Sequence, residues 1–190
     1  MGLRRVPYRS LAALLARELV VGEEPATAAL VAELRHVKRS GRFTRAEFLA
    51  MCRWKSPRAI RHCRRNSAAA IRRVSRAVFA TRSERRRMEH LLALDGVSVP
   101  VASAILTLLD PRRYGVLDIR AWQQLYALRG VDANPAGRGF SVAQWLRYLA
   151  TLREHARRLR APVRAVEFTL FLIHRQRQRG RLYDPPRKRG

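Results

Sequence analysis

The chain has 190 residues, 47% of them apolar, with 40 Lys and Arg against 14 Asp and Glu, for a formal charge of +26. That apolar share supports a packed core and excludes a disordered polyelectrolyte. The length suits one helical domain or two small lobes. The charge makes nucleic acid the expected partner, because clustered cations gain affinity by releasing counterions from phosphates.

No membrane partner is expected, since no basic helix has a lipophilic face free of core duties and no apolar run is long enough to span. No secretory signal is legible, so the expectation is a cytoplasmic, nucleoid-associated monomer. Cys52 and Cys63 alone cannot build a disulfide framework or a four-thiolate cluster. The five histidines show no ligand spacing, so neither a metal nor a cofactor is expected.

Helical periodicity runs through the chain and strand signals are almost absent. A first helix is predicted near Ser10 to Val20. A second starts near Pro25, carries Leu30, Leu34 and Val37 on one face, and stops at Gly41. Thr44 with Glu47 forms a capping-box pattern that opens Arg45 to Trp54, and Pro57 begins a new helix. Ala68, Ile71, Val74 and Val78 make the next apolar stripe, with Arg72, Arg73 and Arg76 turned elsewhere.

Ser83 and Glu84 open a helix with Met88, Leu91 and Leu92 on its inner face. Val101 to Leu109 holds no charge and reads as a helix buried on most sides. Asp118 to Arg129 is amphipathic, a Gly-, Asn- and Pro-rich loop covers 130–139, and the longest helix follows from Val142 to Leu159. Pro162 restarts the chain into a last helix ending near His174. Residues 175–190 read as a basic tail.

Two local features carry chemistry. Leu94-Asp95-Gly96-Val97 is a tight reversal between helices, with Ser98 placed to cap the next helix and Pro100 in its first turn. Unpaired amides there favour a phosphate oxygen. Asp118, just ahead of Ile119, is placed as a helix N-cap. Such a carboxylate stays ionised at neutral pH and suits a site facing developing positive charge. Each feature also has a purely structural reading, an αα-hairpin and a cap.

Leu94, Gly96, Val97 and Ala102, then a buried helix, then Val116 and Asp118, resemble the helix-hairpin-helix DNA glycosylase superfamily, in its endonuclease-III-like branch. The likeness covers about 35 residues. It implies an all-α fold of two lobes with a helix-hairpin-helix, and a base-excision-repair enzyme acting on damaged double-stranded DNA. The implied organisation is an N-terminal helix in 1–22 packing on the C-terminal lobe, a lobe in 23–110 ending in the hairpin, and a C-terminal lobe in 111–174. The tail follows.

The sequence departs from the family pattern in four places. Ser98 replaces the second Gly of the hairpin, Pro100 stands where bifunctional members carry the Schiff-base lysine, Ile119-Arg120 replaces Thr-His, and no Cys follows Cys63 to build the iron–sulfur loop. The implied activity is therefore that of a monofunctional N-glycosylase, a hydrolase. The base turns out of the stack, and Asp118 stabilises the oxocarbenium ion and activates water. The alternative is a non-catalytic nucleic-acid-binding protein of the same fold.

The resemblance places DNA contacts at Gly96, Val97, Ser98, Val99 and Pro100. Trp54, Lys55 and Arg58 sit in an early inter-helix loop suited to strand contact, and Arg120 adjoins the aspartate. Trp54 is either core or a wedge, and Lys55 is solvated, at the DNA, or an amine for strand cleavage. Asn66 and Tyr114 are candidates for the pocket lining, against a cap and simple packing. Glu167, between Val163 and Leu170, reads as a buried carboxylate paired with an arginine.

Overall fold

The computed structural model describes residues 7–178, which form helices and turns and no strand. Helix α1 is Leu11–Glu18, with Ser10 Oγ accepting from the Ala13 amide at 3.1 Å. The helix expected from Pro25 to Gly41 is two, α2 (Pro25–Glu33) and α3 (Arg35–Ser40). Leu34 breaks it: with φ −82° and ψ −3° it is 1% exposed, so burying its side chain overrides continuation of the helix.

Gly41 ends α3 at φ +63°, the left-handed C-terminal position that glycine fills without strain. Helix α4 (Arg45–Lys55) opens with the full Thr44–Glu47 capping box. Ser56 stops it, because the residue before Pro57 is driven out of the helical region. A 3-10 turn at Pro57–Ala59 leads into the short α5 (Ile60–Cys63).

Helix α6 (Ala68–Ala80) buries Ile71, Val74 and Val78, and α7 (Glu84–Leu92) buries Met88 and Leu91. Helix α8 (Val99–Leu109) is buried at every position but Pro100, as its lack of charge predicts. It packs against α2, α3, α4, α7 and α10. Burying each of its Leu, Ile and Val side chains contributes roughly 1.5–3 kcal/mol.

Helices α9 (Ile119–Ala127), α10 (Val142–Arg158) and α11 (Val163–Arg177) complete the chain, with α11 packed on both of the others and α1 against α11. One apolar cluster runs from Leu11 through Met51, Leu108 and Trp145 to Ile173, so 23–110 and 111–174 share a core. The last helix runs past the end expected near His174, so 175–177 are helical. Helix α11 continues to Arg177, where the guanidinium lies 5.5 Å over the Tyr8 ring. Residues 179–190 lie outside the described residues.

Candidate active site

The segment leading to Asp118 is pinned atom by atom. The Val116 amide donates to Glu167 Oε2 at 3.0 Å and its carbonyl accepts from the Tyr148 hydroxyl at 2.8 Å. The Leu117 amide donates to Ser103 Oγ at 2.8 Å, while that hydroxyl donates to the Pro100 carbonyl at 2.8 Å. Gly115 presses against Glu167 and Leu152, where a Cβ would lie 2.7–2.8 Å from their side-chain atoms. The hairpin helix α8 and helix α11 thereby fix where Asp118 stands.

Asp118 caps α9 as expected, Oδ1 accepting from the Arg120 amide at 2.9 Å. Its other oxygen meets a partner 63 residues away: Lys55 Nζ donates to Oδ2 at 2.8 Å. Both side chains are largely sequestered, 16% exposed for Lys55 and 20% for Asp118. Burial pushes the Asp118 carboxyl up, but the Lys55 charge and hydrogen bond, with the Arg120 amide, outweigh it and hold it below its ordinary value. Asp118 is a carboxylate at neutral pH.

Cavities flank this pair. One, of about 360 Å3, is lined by Lys55, Arg58, Ser98, Pro100, Asp118 and the 137–140 loop. Ser98 with the first turn of α8, the Lys55 to Arg58 segment and the aspartate therefore open onto the same cleft, while Gly96, Val97 and Val99 do not line it. The other, of about 250 Å3, is lined by Trp54, Lys55, Asp118, Arg164, Phe168 and Phe171 among others.

The hairpin turn is built around Gly96, at φ +77°, where a Cβ would lie 2.8 Å from the Cys63 backbone nitrogen. Only glycine fits both the conformation and the approach. Ser98 precedes α8 as expected but its side chain makes no capping bond, and the amides of Ser98, Val99 and Val101 donate to no protein acceptor. Val97 and Val99 bury their side chains, so these two residues can meet DNA only through their backbone.

Other sequence candidates are placed differently. Asn66 lines neither cavity: its amide donates to the Cys63 and Asp95 carbonyls and its oxygen accepts from the Asp95 amide, each at 2.9 Å, bracing the turn. Tyr114 points away from Asp118, donating to Glu84 Oε2 at 2.8 Å beside Arg113 and Arg153, because burial demands a partner for its hydroxyl. Trp54 is a half-buried wall, its indole N–H given to Thr27 Oγ1 at 3.0 Å. Arg120 folds back onto Phe171 and Gln178, while Arg58 is exposed on the larger cleft.

The smaller cavity was not legible in sequence. Arg164 lies 4.6 Å over the Phe168 ring, pairs with Glu23 at 2.7 Å and with Glu167, and faces Trp54. Burial pushes the Glu167 carboxyl up against the opposing pull of Arg164 and the Val116 amide. Phe168 and Phe171 stack with ring centroids 6.2 Å apart. The spacings 164/167 and 168/171 mark one helix face, but nothing local marks it as a cavity wall.

Cys52 and Cys63 are buried thiols set against one another, and burial with the neighbouring sulfur pushes the Cys52 thiol up. Among the described residues no group of His, Cys, Asp and Glu is placed to hold a metal, and no helix is long and apolar enough to cross a membrane. Compared with known proteins, the chain matches no family model, no curated protein and no solved structure.

Proposed function

We propose that the protein is a monofunctional DNA glycosylase that hydrolyses the N-glycosidic bond of a damaged or mismatched base in double-stranded DNA. One observation carries the reading: Ser98 and the first turn of α8, Arg58 and the Asp118–Lys55 pair line one cleft, with a cavity walled by Trp54, Phe168 and Phe171 on the other side of the pair. The helix-hairpin-helix of α7 and α8 takes a DNA phosphate on its unpaired amides, helped by the positive end of α8 and by Arg58. The target base turns into the cavity beside Trp54, Phe168 and Phe171.

As the bond breaks, positive charge grows on the deoxyribose and negative charge on the departing base. Asp118 offsets the first charge. Lys55 supplies the proton that the second requires. Water then adds to the sugar carbon and loses its proton to Asp118. That proton returns to Lys55 across the 2.8 Å hydrogen bond, so both side chains are restored.

A panel of duplexes with oxidised, alkylated, deaminated or mismatched bases tests the reading. Hot-alkali cleavage after incubation reveals abasic sites without any lyase activity. Release from at least one duplex is expected. No release from any of them, with salt-sensitive binding retained, would favour the non-catalytic binding protein.

A further inference from the structure

A second basic cleft, of about 370 Å3, lies where α10 ends and α11 begins. Arg112, Arg113, Arg153, Arg157 and Arg160 line it over a small apolar floor that includes Ala156. It shares no lining residue with either cavity beside Asp118.

Two of the five guanidiniums are preorganised. Arg113 and Arg153 share Glu84 Oε1 at 3.1 and 2.8 Å and lie 5.6 and 5.1 Å from the Tyr114 ring centroid. The Arg153 Nε–H also donates to the Arg113 carbonyl at 2.9 Å. Glu84 and Tyr114 thus hold two forks in place before any ligand arrives.

Among the described residues Arg112, Arg157 and Arg160 make no ion pair, while the carboxylates closest in sequence are already engaged, Glu84 by Arg113 and Arg153, Glu154 by Arg158 and Asp110 by Lys38. Gathering like charges this way is unfavourable unless an anion occupies the space. Arg160 follows the end of α10. It sits at φ +50°, where the Ala161 amide closes onto the Ala156 carbonyl at 3.0 Å. That left-handed position favours glycine, and Arg129 takes the same conformation at φ +58° beyond α9.

We propose that this cleft is a second phosphate-binding site that takes the phosphodiester backbone of DNA independently of base release. Exposed Arg112, Arg113, Arg157 and Arg160 spread along its rim suit a polyanion better than a free phosphate. Guanidinium forks match the paired oxygens of a phosphodiester.

Binding of an undamaged duplex, followed over a salt series, tests it. Arg157→Ala/Arg160→Ala should flatten the slope of log affinity against log salt by about 1.8, or about 0.9 per lost contact. Arg72→Ala/Arg73→Ala, on exposed α6 positions, should leave the slope unchanged. An unchanged slope in the cleft variant, or an equal change in the α6 variant, overturns the proposal. So does full competition for the cleft by inorganic phosphate at equal concentration, or loss of anionic-vesicle binding with DNA binding intact.

Arg160→Gly separates function from folding. It should raise Tm by about 2–4 °C by relieving the backbone, while weakening DNA binding severalfold. A fall in Tm would show that Arg160 serves the fold and overturn the inference.

Discussion

Replacing Lys55 by methionine leaves the Asp118 carboxylate 20% exposed with no cation on it. Breaking a buried pair costs about 3–5 kcal/mol because one charge is left uncompensated. Here partial exposure and the surviving Arg120 amide bond reduce that to about 2–3 kcal/mol. Asp118→Asn keeps a side chain able to cap α9 and should cost about 1–2 kcal/mol. In the double variant neither charge is stranded, so the two losses should fall short of additivity by about 1.5 kcal/mol.

Urea unfolding of the four proteins at neutral pH measures the cycle. Carboxyl NMR should show Asp118 titrating higher in Lys55→Met, since burial still raises it and the main opposing charge is gone. The folded Asp118 carboxyl lies below its unfolded value. The stability it contributes is therefore present above the unfolded pKa and lost as pH falls through the folded one. Additivity within about 0.5 kcal/mol would refute the claim that the pair is coupled.

Gly96→Ala forces a Cβ to 2.8 Å from the Cys63 nitrogen at φ +77°, and should lower stability by about 2–4 kcal/mol and abolish DNA binding at the hairpin; circular-dichroism melting and gel shift read both. Asn66→Ala strands the Asp95 amide and carbonyl, while the Cys63 carbonyl keeps the residue-66 backbone amide, and should cost about 1–3 kcal/mol by denaturant unfolding, without the selective loss of base release expected from a pocket residue. His174, 1% exposed, is held neutral with its pKa lowered to about 4 by burial and by Arg120. The unfolded chain binds the proton more readily, so stability should fall as pH drops from the unfolded value near 6.5 towards 4, by on the order of 3 kcal/mol. His174→Gln should flatten that part of the unfolding profile.

Local signals were legible where one turn of chain decides the outcome. The Thr44–Glu47 box, the uncharged α8, Gly96 and the Asp118 cap all follow from neighbours within a few residues. The break at Leu34 was not, because it is set by what buries that side chain. Lys55 reaching Asp118 over 63 residues was equally invisible, since either residue alone reads as a solvated charge or a cap. Glu84 looked like the first acid of a helix, yet it anchors Arg87, Arg113, Arg153 and Tyr114. Arg164, Phe168 and Phe171 carry the pattern of any buried helix face, and only packing against Trp54 and the 115–118 segment makes that face a cavity wall.

The most direct measurement compares wild type and Asp118→Asn on any duplex that wild type cleaves to an abasic site, scoring base release and DNA affinity together. The account predicts that release is lost by a factor of at least about 100, while affinity stays within about threefold, because Asp118 acts on the growing charge and not on the phosphates. Release retained by Asp118→Asn would contradict it.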